Sequence, residues 1–424
     1  MKVLVSAYAC HPQATENSYP GEAILGWNLV RQLSRGHKLW VITRVYNREG
    51  IASAQEKGEA AGVVFHYLTL PKAFSALLQN FFGFRIYYLF WQIQAYRLAR
   101  KLHRRIRFEA THQITFNNDW MPSFIGALMD IPFLWGPVGG GQRVPRTLFL
   151  ELDFKNRVME RARILGQWFW RNNYFRTKAA RRAAAVLVCN RETQDKLRPK
   201  NRRIFFFPVN GIWPDESPGT PGARPASERD FQVLFAGRLD PIKGLGLGLR
   251  AFEIFLRRHP RSVFEIVGSG PEEARLKAFV GERGMAAKVR FIPWLPRPEL
   301  FRKMALCDVF LFPSLRDGGG AVVVEAMSAG KPVVALDNGG PGFLVRPEWG
   351  FKIPPGDRRR VVHDMAESLA ALCGDEDLRS RMGLAARKRA EEFFDWDRLG
   401  ERLLGIYDTV FSPQGGKDSQ PLRR

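Results

Sequence analysis

Arg238 and Lys243, in Phe235-Ala-Gly-Arg-Leu-Asp-Pro-Ile-Lys-Gly244, are two cations set between a strand pattern and a helix pattern. That placement suits a diphosphate, because the helix N-terminus and both side chains favour negative charge. A solvated basic loop would carry the same letters. Gly268-Ser-Gly-Pro271 is a second tight strand-to-helix turn on the same side. In Asp317-Gly-Gly-Gly-Ala-Val-Val-Val-Glu325 a carboxylate, three glycines and a second carboxylate bring backbone amides close to a ligand. Glu325 falls in an otherwise apolar helix pattern, where a buried carboxylate needs a partner such as a sugar hydroxyl. A capping acid followed by a dipole-favoured glutamate is the alternative.

Earlier in the chain the candidates are fewer. His112 stands in Thr111-His-Gln-Ile-Thr115, at the end of a strand pattern, where a neutral imidazole could accept a proton or bond a hydroxyl. A lone histidine in a strand is more often structural. His11, in the first loop, is weaker. Trp135-Gly-Pro-Val-Gly-Gly-Gly141 could present amides to a pyrophosphate, or be only a flexible connection. Cys10, Cys189, Cys307 and Cys373 are scattered without a CxxC pair, so neither a disulfide framework nor a zinc site is expected. Asp375-Glu-Asp377 and Asp395-Trp-Asp397 fall in late helical sequence and read as surface acids.

Short apolar runs alternating with longer helical patterns must position these residues, the signature of βα units on parallel sheets. Strands are predicted at residues 3–6, 39–43, 63–68, 110–115, 133–135, 185–189 and 205–209. After a stretch holding Pro214, Pro218, Pro221 and Pro225, the alternation resumes at 232–236, 263–267, 289–291, 309–312 and 333–335. The reading is an α/β protein with two doubly wound, Rossmann-like domains facing across a cleft. Residues 1–210 form the first domain and 211–392 the second. A last helix over about 393–411 packs back on the first, and 412–424 is a flexible tail. Ligands of such sheets sit at the strands' carboxyl ends, so the site is expected between the domains.

The 424-residue chain carries 65 Lys plus Arg against 42 Asp plus Glu, a formal net charge of +23, and most of the excess precedes residue 211. Nucleic acid or an anionic membrane would each suit that half. Phe81, Phe82, Phe84, Tyr87, Tyr88, Phe90 and Trp91 precede Arg97, Arg100 and Lys101, while Trp168, Phe169 and Trp170 precede Arg171, Arg176 and Lys178. Aromatic rings beside cations fit a lipid headgroup layer; core-facing rings with a solvated basic face fit equally. Residues 74–96 are too polar for a confident span. Without a leader pattern, the expected compartment is the cytoplasm.

Together, Gly-Arg-Leu-x3-Lys-Gly, Gly-x-Gly-Pro-Glu and the acid-x7-Glu run into Ala-Met-Ser-Ala-Gly-Lys-Pro-Val-Val resemble the retaining glycosyltransferases of family 4, which have the GT-B fold. The opening Ser6-Ala-Tyr-Ala-Cys-His-Pro12, with Gly21 and Gly26-Trp-Asn-Leu-Val30, resembles a bacterial polysaccharide branch. The resemblance implies that Arg238 and Lys243 hold the donor diphosphate and Glu325 the ribose. It implies that Asp317 with the backbone of Gly318, Gly319, Gly320 and Ala321 holds the donor sugar. Gly21 and Gly268 would approach the phosphates, the base would lie near Trp294 in Pro293-Trp-Leu-Pro296, and His112 would face the reacting sugar. Two departures stand out: Asp317 replaces the usual glutamate, shortening its reach, and Gly136-Pro137 replaces a histidine-containing turn.

These readings converge on a retaining transferase moving a sugar from a UDP- or GDP-linked donor, without metal or other cofactor. Its acceptor would be a saccharide or a polyprenyl-diphosphate-linked one at the inner face of the cell membrane, in surface polysaccharide synthesis. A sugar-nucleotide epimerase or phosphorylase of the same architecture is the alternative. A basic nucleic-acid-binding protein is a further rival, although no recognised nucleic-acid-binding motif is present.

Overall fold

Runs such as Lys-Val-Leu-Val-Ser and Phe-Gln-Val-Leu-Phe-Ala, apolar at nearly every position, form strands because both faces of a parallel sheet are covered by helices. The computed structural model describes all residues except 14–19, 72, 75–76, 78–80, 217–229 and 413–424, and the side chains of 20, 81 and 82 also fall outside the described set. Pro218, Pro221, Pro225, the rings of Phe81 and Phe82, and nearly all of the proposed tail therefore lie outside it.

The first sheet contains β1 (Lys2–Ser6), β2 (Lys38–Arg44), β3 (Val64–Leu68), β4 (Ala110–Gln113), β5 (Phe133–Val138), β6 (Ala183–Val188) and β7 (Ile204–Phe206). Its order is β3-β2-β1-β4-β5-β6-β7, every pair parallel. The second contains β8 (Phe231–Ala236), β9 (Ser262–Val267), β10 (Val289–Ile292), β11 (Val309–Phe312), β12 (Val333–Leu336) and β13 (Gly350–Ile353). Its order is β10-β9-β8-β11-β12-β13, again parallel throughout. The strand order reverses between β1 and β4 in one sheet and between β8 and β11 in the other. Such switch points open the crevice in which doubly wound sheets take ligands.

β13 is absent from the sequence reading: Gly-Phe-Lys-Ile at a sheet edge has no continuous apolar run. β5 runs on through Gly136-Pro137, where proline argues for a stop; the peptide between them is cis.

Two compact units emerge. One comprises residues 1–141, 164–209 and the chain from Trp396; the other comprises 142–163 and 210–395. In the first, helix Phe81–Ile106 turns Tyr87, Tyr88 and Trp91 into a core with Tyr8 and Trp120, so these rings are not a surface feature. In the second, β8, β11 and β12 form the centre of one continuous core. Among the described residues no helix is long and apolar enough to cross a membrane.

Candidate active site

At the switch point of the second unit, β8 and β11 deliver the two motif loops side by side. Beyond Ala236 the chain makes a 3-10 turn, Pro241–Lys243, and enters helix Leu245–Arg258 through Gly244 in the left-handed conformation. Lys243 Nζ reaches 2.5 Å from Asp317 Oδ2 and lies 5.2 Å from the centre of the Phe312 ring. The two residues, 74 apart in sequence, thus meet as a largely buried ion pair. Arg238 is turned instead to Asp240, with Nε–Oδ2 2.9 Å and Nη2–Oδ1 3.2 Å, and is 76% exposed. It rims the loop that Lys243 closes.

Asp317 uses its other oxygen locally. Gly319 N–H and Gly320 N–H donate to Oδ1 at 3.1 and 2.7 Å, so those amides serve the carboxylate rather than standing open. The short aspartate side chain makes this possible, since it folds back onto the amides two and three residues on. Gly340 N–H donates to Asp317 O at 3.0 Å. Gly339, at φ 60°, allows that approach; a Cβ there would stand 2.2 Å from Asp317 O. Asn210 Nδ2 donates to Gly319 O at 3.2 Å and Asn338 Nδ2 to Leu315 O at 2.6 Å, fixing the loop from both sides. Both asparagines escaped the sequence reading, although each stands in an Asn-Gly pair.

Helix Ala321–Ser328 springs from Gly320, and Glu325 is its fifth residue. Burial pushes the Glu325 carboxyl pKa up; Arg297, with Nη2 3.4 Å from Oε1, opposes that, and Glu216 adds to it. Arg297 also lies 3.2 Å from Glu216 Oε2, and its buried Nε finds no acceptor among the described residues. Neither Arg297 nor Glu216 carries a motif, and only the fold brings them to Glu325. Trp294, two residues past the end of β10 at Ile292, is 73% exposed.

Gly268 follows β9 at φ 135°, its backbone against the loop after β8: a Cβ would meet Gly237 O at 2.1 Å. Leu239 N–H donates to Ser269 O at 2.9 Å, tying the two turns together.

The segment 142–163 supports the same loop. Glu160, buried, accepts from Arg316 Nη1 at 2.5 Å and from Arg163 Nε at 2.8 Å, one residue upstream of Asp317. Arg143 O accepts from Asn338 Nδ2 at 2.9 Å. Sequence proximity hides all of this, because the segment lies some 150 residues earlier than its partners, as the separation of 156 between Glu160 and Arg316 records.

In the first unit Gly21 opens helix Pro20–Ser34, with open space where a Cβ would stand. His112, on β4, is 1% exposed. Its Nε2 lies 2.8 Å from Gly136 O and its Nδ1 2.9 Å from Tyr407 Oη. A carbonyl only accepts, so Nε2 carries the proton and Nδ1 accepts from the tyrosine hydroxyl. Burial pushes the imidazole pKa down to about 3. Both ring nitrogens fasten β4, to the Gly136 turn and to the C-terminal helix Trp396–Phe411. His11 is also buried, its Nδ1 2.7 Å from Gln13 O. In the Gly-rich turn, Gly141 N–H donates to Thr193 Oγ1 at 3.0 Å and Gly139 N–H to Asn117 O at 2.9 Å, so these amides are already used.

Residues 221–389 match the family described as Glycosyl transferases group 1. The D-inositol 3-phosphate glycosyltransferase of Jonesia denitrificans is 32% identical over 185 residues, 42% of this chain and 43% of the relative. The GDP-mannose-dependent monoacylated alpha-(1-6)-phosphatidylinositol monomannoside mannosyltransferase of Corynebacterium glutamicum is 29% identical over 207 residues, 46% of this chain and 53% of the relative. The chain thus spans about half the length of the curated relatives it matches. Solved structures align over nearly the whole chain. A glycosyltransferase from Rickettsia africae gives a TM-score of 0.64 at 12% identity, covering 97% of this chain and 99% of that one. Anabaena HepE in complex with UDP and glucose gives 0.59 at 17%, covering 96% and 100%. At such identities the likeness establishes the fold, and the fold is GT-B.

Proposed function

We propose that this protein is a glycosyltransferase that takes a nucleoside-diphosphate sugar in the second unit. The observation that carries the reading is the meeting of Lys243 and Asp317 at the switch point, with Glu325 on the helix that leaves the same loop. The match to the Glycosyl transferases group 1 family falls on this unit, and the HepE structure contains UDP and glucose. In our reading the diphosphate replaces Asp317 as the counter-ion of Lys243, and Arg238 turns from Asp240 to complete its neutralisation. Released from the ammonium, Asp317 Oδ2 is free to accept from a donor-sugar hydroxyl. Glu325, whose pKa burial raises and Arg297 opposes, takes the ribose hydroxyls, and Trp294 stands where a base would stack.

We further read the transfer as retaining and metal-independent. The Asp317 carboxylate is tied to two loop amides and to the Lys243 ammonium, a poor state for a covalent nucleophile. The leaving diphosphate, stabilised by Lys243 and Arg238, then accepts the acceptor's proton as the new glycosidic bond forms on the same face. His112 acts by position, holding the β4 end and the Gly136 turn. The acceptor in this reading is a saccharide or polyprenyl-diphosphate-linked saccharide at the cytoplasmic membrane face, on the way to a surface polysaccharide.

Incubating the full chain with UDP- and GDP-sugars, with and without a lipid-linked saccharide, tests the reading. Nucleoside diphosphate released only with acceptor, and lost in Lys243→Met, is the expected result. Donor turnover to an isomer without acceptor would contradict it and favour an epimerase.

A further inference from the structure

Helix Phe154–Arg171 is amphipathic in the inverted sense. Its solvent side carries Phe154, Val158, Leu165, Trp168 and Phe169, all exposed, the last three at 67%, 62% and 69%. At 3.6 residues per turn these positions fall within an arc of about 100°. The opposite side is polar and ion-paired inward: Glu160 to Arg163 and Arg316, and Arg171 to Asp119 with Nε–Oδ2 2.5 Å. A helix of a water-soluble surface has the reverse pattern. Tyr174, at the start of the next helix, Tyr174–Arg182, is exposed as well.

We propose that this outward stripe docks on an anionic lipid bilayer, lying in the headgroup layer with its rings among the acyl chains. Charge selects the occupant. Residues 154–182 hold nine Lys or Arg and a single acid, Glu160, and that acid is on the buried side. Lys155, Arg161 and Arg181 are exposed, Arg161 within the stripe's own arc. A basic rim around aromatic side chains complements anionic headgroups. A second copy of the chain would set the same cations against each other. The other aromatic helix, Phe81–Ile106, is no competitor, because Tyr88 and Trp91 are spent on the core. This surface deepens the reading of a membrane-borne acceptor, but its test involves no sugar chemistry, so the two stand or fall separately.

Co-sedimentation of the full chain with phosphatidylcholine vesicles, with and without phosphatidylglycerol, reads the proposal directly. Binding is expected to the anionic vesicles, to fall at least about tenfold in Trp168→Ser/Phe169→Ser and on Lys155→Glu/Arg161→Glu, and to weaken with salt. Both pairs are exposed, so an unchanged unfolding midpoint should accompany the loss. Equal binding by variant and wild type would overturn the proposal. So would a wild-type dimer that the Ser/Ser variant dissociates, without vesicle binding by either.

Discussion

The two sheets reverse strand order at corresponding places, yet the residues they present there behave in opposite ways. Beside β8 and β11, Lys243 and Asp317 hold each other across the loop ends, a pair that the proposed diphosphate would part. On β4, next to β1, His112 is sealed under the C-terminal helix with both nitrogens engaged. The contrast teaches that a polar residue at a sheet's carboxyl end is chemically useful only when its partner can be exchanged. An ion pair at a loop offers that; a neutral ring between a tyrosine and a carbonyl does not.

The comparison breaks most directly at Lys243. Replacement by Met is expected to lower kcat about 10²–10³-fold, the loss typical when one group stabilising developing charge is removed, with the melting temperature little changed. Steady-state rates on any accepted donor check this. Asp317→Asn keeps an acceptor for the loop amides but removes the charge opposite Lys243, and we expect roughly a tenfold to hundredfold fall in kcat/KM.

A smaller effect belongs to Arg297. Its loss to Met leaves the Glu325 carboxyl more burdened by burial and by Glu216, so its pKa rises further. Donor KM should rise about tenfold, about 1.4 kcal/mol, and the acid limb of the kcat/KM profile should move to higher pH. Lys at 297 should restore the limb in large part; a merely structural role would leave the profile's position unmoved.

The smallest effect on turnover is expected from His112→Gln, which should instead alter stability. The folded imidazole stays neutral down to about pH 3 while the unfolded one titrates near 6.5. Between those values the unfolded state binds more protons. The native state is therefore fully favoured above pH 6.5 and loses ground as pH falls, at up to about 1.4 kcal/mol per unit. Thermal melts across this window should be flatter for the glutamine variant, with activity at neutral pH within about twofold of wild type if the ring only positions.

Much of this was legible in the letters, for definable reasons. Buried parallel strands are short apolar runs, and the loops at their ends carry the Gly, Pro and charged residues that turn and bind; hence Arg238, Lys243, Asp317 and Glu325 stand out unaided. What stayed hidden depends on distance along the chain. Glu160 supports Arg316, and Arg297 meets Glu325 and Glu216, with no shared motif or spacing. Periodicity also could not tell the two aromatic helices apart, because an apolar stripe looks the same whether a core or a lipid surface covers it. For Asp317 the letters show the carboxylate but not that its Oδ1 caps the amides of Gly319 and Gly320 beside it.

The central claim is that the loops after β8 and β11 bind a nucleoside diphosphate through Lys243. Calorimetric titration of UDP and GDP, with the monophosphates UMP and GMP as controls, tests it without any acceptor. The account predicts that one diphosphate binds far more tightly than its monophosphate, and that Lys243→Met removes most of the difference while Lys101→Met changes nothing. Equal affinities for diphosphate and monophosphate, or an unaffected Lys243→Met, would contradict it.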